Sequence, residues 1–283
     1  MDPRNYQIAA LSIFILIGVM HLGFQIQWHN VMVIVVVALL TQRCLFSHGQ
    51  EKSALISSMS LILLLRTDIV AIAALTSFIA IASKRFIRFD GSHLFNPSAI
   101  ALVLMTSVSS HAYISPGQWG ALGLVTFVVL AIGLLVVTRA HRLDVALAFL
   151  FGYTSIVVLR GLYLGDPVAI ALHQLQNGSL LLFAFFMITD PKTTPFLRTA
   201  RVGFGVTVAV AAAILQYKFY LSTAAIYALV ALAPLVSVLN TYTRNLSYVK
   251  PSLHPLESVK AIEAGVIDAG QGNSACITHQ RQQ

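Results

Sequence analysis

The chain has 283 residues, 57% of them hydrophobic and only 10% charged, with a mean hydropathy of +0.81. Soluble domains carry about a quarter charged residues, so this composition excludes a soluble globular fold and points to an all-α, polytopic membrane protein. The net charge of +8 is read as loop charge that sets membrane orientation. No basic-aromatic cluster offers a nucleic-acid platform, and Cys44 and Cys276 lack the spacing of an iron–sulfur or zinc site.

In chain order, apolar runs between polar breaks predict ten membrane spans: 8–24, 31–47, 53–66, 69–83, 96–110, 120–138, 144–162, 170–188, 202–217 and 221–240. The first has only Arg4 ahead of it and no small-x-small cleavage site after it, so it reads as a retained helix rather than a signal peptide. With alternate loops assigned to opposite sides, Arg66, Arg160 and Lys218 fall on one side and the other 15 of the 18 Lys and Arg on the opposite side. That bias places both termini in the cytoplasm, and omitting any one span would scatter it. The expected organisation is a transmembrane domain over 1–245, with halves at about 8–110 and 120–240, and a cytoplasmic tail over 246–283. Within the tail, Pro255 to Asp268 reads either as one short helix or as disorder.

Three landmarks interrupt the apolar pattern. The third span, SALISSMSLILLL, gives roughly 20 Å of helix against a hydrocarbon core of about 30 Å. It ends on Arg66-Thr67-Asp68, read as a local ion pair between Arg66 and Asp68 at the outer surface. The fifth span opens on Asn96-Pro97, an N-cap followed by a proline suited to the first helical turn. The eighth stops at Thr189-Asp190-Pro191, because proline disfavours helical geometry at the residue before it.

The interrupted spans are third of the first five and third of the second five, the positional signature of an inverted repeat with a site between its halves. A helix start offering N–H donors and a helix end offering an acid then flank one pocket. The candidate binding residues are His93, Asn96, Pro97, Thr189, Asp190, Pro191, Lys192 and Thr193. Asp190 is expected to turn toward Asn96, with Lys192 answering the last carbonyls of the eighth helix. A bare helix stop and a bare cap are the competing readings of Asp190 and Asn96, and His93 either meets a ligand or is a solvated loop residue. Arg160 and Asp166 read as interfacial anchors, Gly203-x-Gly205 as close helix packing, and Asn177-Gly178-Ser179 as a sequon without meaning inside a span. No mid-span histidine pair exists for a haem.

The runs SALISSMSLILLL, HLFNPSAIALVLM and NGSLLLFAFFMITDPKTTP, in this order, resemble the RnfD/NqrB family across roughly residues 50–245. Its members are membrane components of the Rnf electron-transport complex (RnfD) and of the sodium-pumping NADH:quinone reductase (NqrB). The resemblance implies ten helices in two inverted repeats, a shape related to ammonium and urea channels, and flavin. That flavin is an FMN esterified to a threonine on the extracytoplasmic side, with a further non-covalent flavin in some members. Asn96 and Pro97 match the family's NP, and Thr189, Asp190 and Pro191 its TDP.

The family's acceptor motif, Ser/Thr-Gly-Ala-Thr/Ser between helices five and six, is replaced here by Ser110-His111-Ala112-Tyr113-Ile114-Ser115-Pro116. No covalent FMN is therefore expected, and the chain looks closer to the short stand-alone branch that includes enediyne-biosynthesis-associated members. The resemblance implies a membrane electron-transfer protein, at most a redox subunit of oxidoreductase or translocase type, holding FMN or riboflavin non-covalently. Its setting would be the bacterial inner (plasma) membrane, with redox proteins or other complex subunits as partners. The alternative is a small-solute transporter or channel on the same fold.

Overall fold

Helices in this chain are apolar on their outer faces as well as their inner ones, the pattern lipid requires. On α2 (Trp28–Leu45), Ile34 and Ala38 are buried while Met32, Val36 and Leu40 stand exposed. The computed structural model describes residues 3–20, 27–46, 50–115 and 123–249. The first half also contains α1 (Pro3–Met20), α3 (Glu51–Leu64), α4 (Val70–Phe86) and α5 (Pro97–Val108). The second half contains α6 (Gly123–Arg139), α7 (Leu143–Leu164), α8 (Val168–Leu175), α9 (Gly178–Leu182), α10 (Arg198–Phe219) and α11 (Ala224–Val249). A π-helical turn, π1 (Phe183–Met187), continues α9. The first compact unit runs to Asn240, and a second begins at Thr241. Residues 250–283, with the tail segment Pro255 to Asp268 and Cys276, lie outside the described residues.

Long and short helices divide the work. Trp28–Leu45, Leu143–Leu164, Arg198–Phe219 and Ala224–Thr241 are long and apolar enough to cross a membrane unaided. The short elements form the centre instead: every residue from Gly178 to Met187 is buried, as are Ala54, Ser57, Ser58 and Ser60–Leu64 of α3. Incomplete helices at membrane depth persist only where protein surrounds them.

The two halves share a packing scheme. In the first, α2 packs most heavily on α4 and α1 on α3; in the second, α7 packs on α10 and α6 on α9 and π1. Gly205 permits the α7–α10 approach, since a Cβ there would lie 2.8 Å from the Val145 carbonyl oxygen, whereas a Cβ on Gly203 would meet nothing within 4 Å.

Two features depart from the expected spans. The run 170–188 is not one helix but α8 followed by α9, because Asn177 Oδ1 accepts from Ser179 N (2.9 Å) and Ser179 Oγ (2.7 Å) and caps a new start. The Asn-Gly-Ser triplet therefore has structural meaning. The chain beyond α3, β1 (Leu65–Thr67), is extended and pairs antiparallel with β4 (Ala112–Ile114) beyond α5, with Arg66 opposite Tyr113. A second small ribbon, β2 (Arg88–Phe89) with β3 (Ser92–His93), leads into α5.

Candidate functional site

Asn96 caps α5, its Oδ1 accepting from Ala99 N at 3.2 Å with Pro97 in the first turn. The same carboxamide reaches across the core, where Nδ2 donates to the Met187 carbonyl at 3.3 Å. Met187 ends π1, whose widened turn is closed by Ile188 N donating to Phe183 O at 3.0 Å. Thr189 Oγ1 donates to Phe185 O at 2.7 Å. The carbonyls at this helix end are thus answered by Thr189 and Asn96, not by the Lys192 side chain.

Pro191 has no N–H and the chain turns on Asp190. Lys192 N donates to Asp190 Oδ1 (3.0 Å), while Thr193 N (3.1 Å) and Thr194 Oγ1 (2.9 Å) donate to the Asp190 carbonyl. An Asx turn of this kind mimics a backbone turn. The following loop is pinned by Arg142 Nη1 on Pro195 O (3.5 Å) and Asn240 Oδ1 on Phe196 N (2.9 Å). Arg201 holds Asp144 through Nε (2.7 Å) and Nη2 (2.6 Å) beside it.

These motifs border one cavity of about 720 Å³. His93, Asn96, Pro97, Thr189, Asp190, Pro191 and Lys192 all line it; Thr193 is buried behind the wall. Sequence reasoning missed the rest of the lining. Ser53, Ile56, Ser57 and Ser60 form one face of α3, Arg4 and Gln7 come from α1, Val136 and Val137 from α6, and Ala140 from the turn just after it. The α3 contribution had a signal, since positions 53, 56, 57 and 60 fall on one helical stripe. Ser98 Oγ donates to Ser57 O (3.2 Å), tying α5 to that stripe. Phe185 closes the interior against Gly133, where a Cβ would lie 2.6 Å from the Phe185 ring.

Asp190 and Asn96 share the cavity, but the titratable neighbour of Asp190 is His93, with Nε2 4.0 Å from Asp190 Oδ2. The His93 side chain is only 12% exposed, so it is not a solvated loop residue. Its Nδ1 lies 2.9 Å from the Phe95 carbonyl and so carries the proton. Burial pushes the His93 pKa below the usual histidine value, outweighing the opposing pull of Asp190. Arg4 and Lys192 add positive charge to the lining. Behind it, buried Lys84 donates from Nζ to Ser53 O (3.0 Å) and Ser53 Oγ (3.1 Å).

Elsewhere, Arg66 and Asp68 do not pair as expected. Arg66 Nη1 donates to the Ile62 (3.0 Å) and Leu65 (2.9 Å) carbonyls left open as α3 ends, and Asp68 lies 3.7 Å from His111. Arg160 approaches Asp166 at 4.0 Å and sits 4.1 Å over the Tyr217 ring, as an interfacial anchor can. Among the described residues, no group of three or more His, Cys, Asp or Glu could hold a metal ion.

Short helices buried among apolar ones, with a ligand-sized cavity where their ends meet, define a polytopic α-helical membrane protein. The sequence profile of the NQR2, RnfD, RnfE family matches residues 110–248, 139 of the 283 residues, so over that stretch the chain is similar to that family. The family is associated with membrane subunits of electron-transport complexes. The match includes Thr189-Asp190-Pro191 and begins after Asn96-Pro97. No curated protein matches the chain.

Proposed function

We propose that the cavity at Asp190 holds a flavin, FMN or riboflavin, without a covalent bond, and that the protein passes electrons across or along the bilayer. The observation that carries this reading is the meeting of Asn96-Pro97 and Thr189-Asp190-Pro191, one from each half of the chain, on one cavity of about 720 Å³. Ligand pockets usually span about 300–1,000 Å³, with apolar walls and a few placed polar groups. Here Ile56, Val136, Val137, Phe185 and Phe186 supply the walls, and Ser57, Ser60, Asn96 and Ser98 the polar edge. A flat ring system with a hydrogen-bonding rim fits that division.

When bound, the flavin supplies the redox chemistry; the chain's residues orient it and exclude water. An asparagine amide has two donor hydrogens and two acceptor lone pairs. The Asn96 bonds to Ala99 and Met187 use one of each, so the other pair can meet a ligand edge without releasing either helix. His93, with its proton on Nδ1, offers Nε2 as an acceptor beside Asp190.

The repeated packing of α2 on α4 and α7 on α10 supports an inverted repeat. The distribution of Lys and Arg supports cytoplasmic termini, and the similarity to the matched family supports a bacterial inner membrane with redox proteins or other complex subunits as partners. The test is the absorption spectrum of the purified protein, before and after acid precipitation. Flavin released into the acid supernatant is expected. Flavin retained on the denatured chain would overturn the non-covalent mode, and none in either fraction would favour a solute transporter.

A further inference from the structure

A second cavity, of about 600 Å³, is lined by residues at the start of α2, the end of α3 and the segment after α5, away from every residue of the flavin reading. We propose that it binds an oxyanion that also carries a hydrogen-bond donor and an apolar tail, the chemistry of a hydroxycarboxylate or of a hydroxyl-bearing lipid phosphate. The pairing of β1 with β4 builds the wall by holding Arg66 opposite Tyr113. Arg66 Nη1 is anchored on the Ile62 and Leu65 carbonyls (3.0 and 2.9 Å), which fixes a planar guanidinium at the lining. Such a fork matches an oxyanion in geometry and charge. An arginine on a cavity wall in a membrane protein marks a site rather than a packing residue.

Asn30 supplies the second half of the recognition. Its side chain lines the cavity and the residue is only 8% exposed. Nδ2 donates to Thr67 O (2.8 Å) and Gln27 Oε1 (2.9 Å), which settles the amide's orientation. Oδ1 is then left buried with no hydrogen-bond partner. Such an acceptor is costly to leave unmet, and a ligand hydroxyl or amine would meet it. Asn30, Arg66 and Thr67 all line the one cavity. Val31, Ile34, Ile62 and Leu65 line the same cavity and receive the apolar tail. Asp68 at the rim disfavours a ligand of high negative charge, leaving a monoanion with a donor.

The test measures calorimetric binding of phenyllactate and 3-phenylpropionate to the purified protein in nanodiscs of zwitterionic lipid. The two acids share the ring and the carboxylate and differ in the α-hydroxyl. Phenyllactate should bind about tenfold more tightly, the worth of one hydrogen bond. Asn30→Leu should remove that difference, and Arg66→Gln should weaken both acids at least about tenfold. Repeating the titration in phosphatidylglycerol nanodiscs separates the sources. Competition would assign the site to a lipid headgroup, and unchanged binding would assign it to a free acid. Either result sustains the proposal. It is overturned if the wild-type protein binds neither acid or binds both equally. Wild-type binding by folded Arg66→Gln would overturn it too. If that variant does not fold, the paired acids on wild type and Asn30→Leu decide the matter.

Discussion

The Asn96 carboxamide accepts from the Ala99 N–H and donates to the Met187 carbonyl, so it holds the start of α5 against the end of π1. A serine at this position can still cap the helix but cannot span the distance to Met187. Asn96→Ser should therefore lose only the tie, and Asn96→Ala the cap as well, a further cost of about 1 kcal/mol. Thermal unfolding in detergent should rank wild type above Ser and Ser above Ala; equal losses would show that the cap contributes nothing.

His93 predicts a pH dependence of definite sign. Burial and the nearby Lys192 and Lys84 lower its pKa, Asp190 and the Phe95 carbonyl resist, and burial dominates. The unfolded chain then binds more protons than the folded one from the folded pKa up to about 6.5. Stability accordingly rises with pH through that window and is lost on acidification through it. The melting midpoint should drop between about pH 7.5 and pH 5.5, and His93→Gln should shrink the drop. An identical drop in the variant would assign the effect to another group.

At the scale of elements, two glycines set how closely helices approach. Gly133→Ala would press a Cβ against the Phe185 ring at 2.6 Å, and Gly205→Ala would press one against the Val145 carbonyl at 2.8 Å. Overpacking of this kind costs about 1–3 kcal/mol. Gly203→Ala meets nothing and is the control. Both core substitutions should lower the melting midpoint while the control does not, and Gly133→Ala should also weaken ligand binding because Phe185 lines the cavity. The short α3, the Asn96-Pro97 start and the stop before Pro191 were legible because proline geometry and capping act within a few residues. The break at Asn177 was not, since a two-residue cap vanishes inside an apolar run read by hydropathy. π1 and the β1–β4 pairing depend on partners far away in sequence, Asn96 for one and Ala112–Ile114 for the other.

For the whole molecule, the starts of α1, α3 and α5 gather with the end of α6 and the Asp190 turn around one cavity, while the start of α2 and the ends of α3 and α5 gather around another. This alternation agrees with a threading that keeps 15 of the 18 Lys and Arg on one side. A reporter active only outside the cytoplasm, fused after Gln283, should give no signal; a strong signal would reverse the orientation. Seven of the eight candidate residues could be placed on the cavity from sequence because they sit in two local motifs. The contributions of α1 and α6 could not, because only packing brings Arg4, Gln7 and Val136 to that wall. The most direct test of the central claim is the flavin-to-protein ratio of the purified protein and of Ser60→Phe, which fills the cavity from α3, with exposed Thr207→Val as control. Wild type and control should carry flavin in equal measure and Ser60→Phe should carry little while eluting as folded protein. Full flavin content in folded Ser60→Phe, or none in wild type, would contradict it.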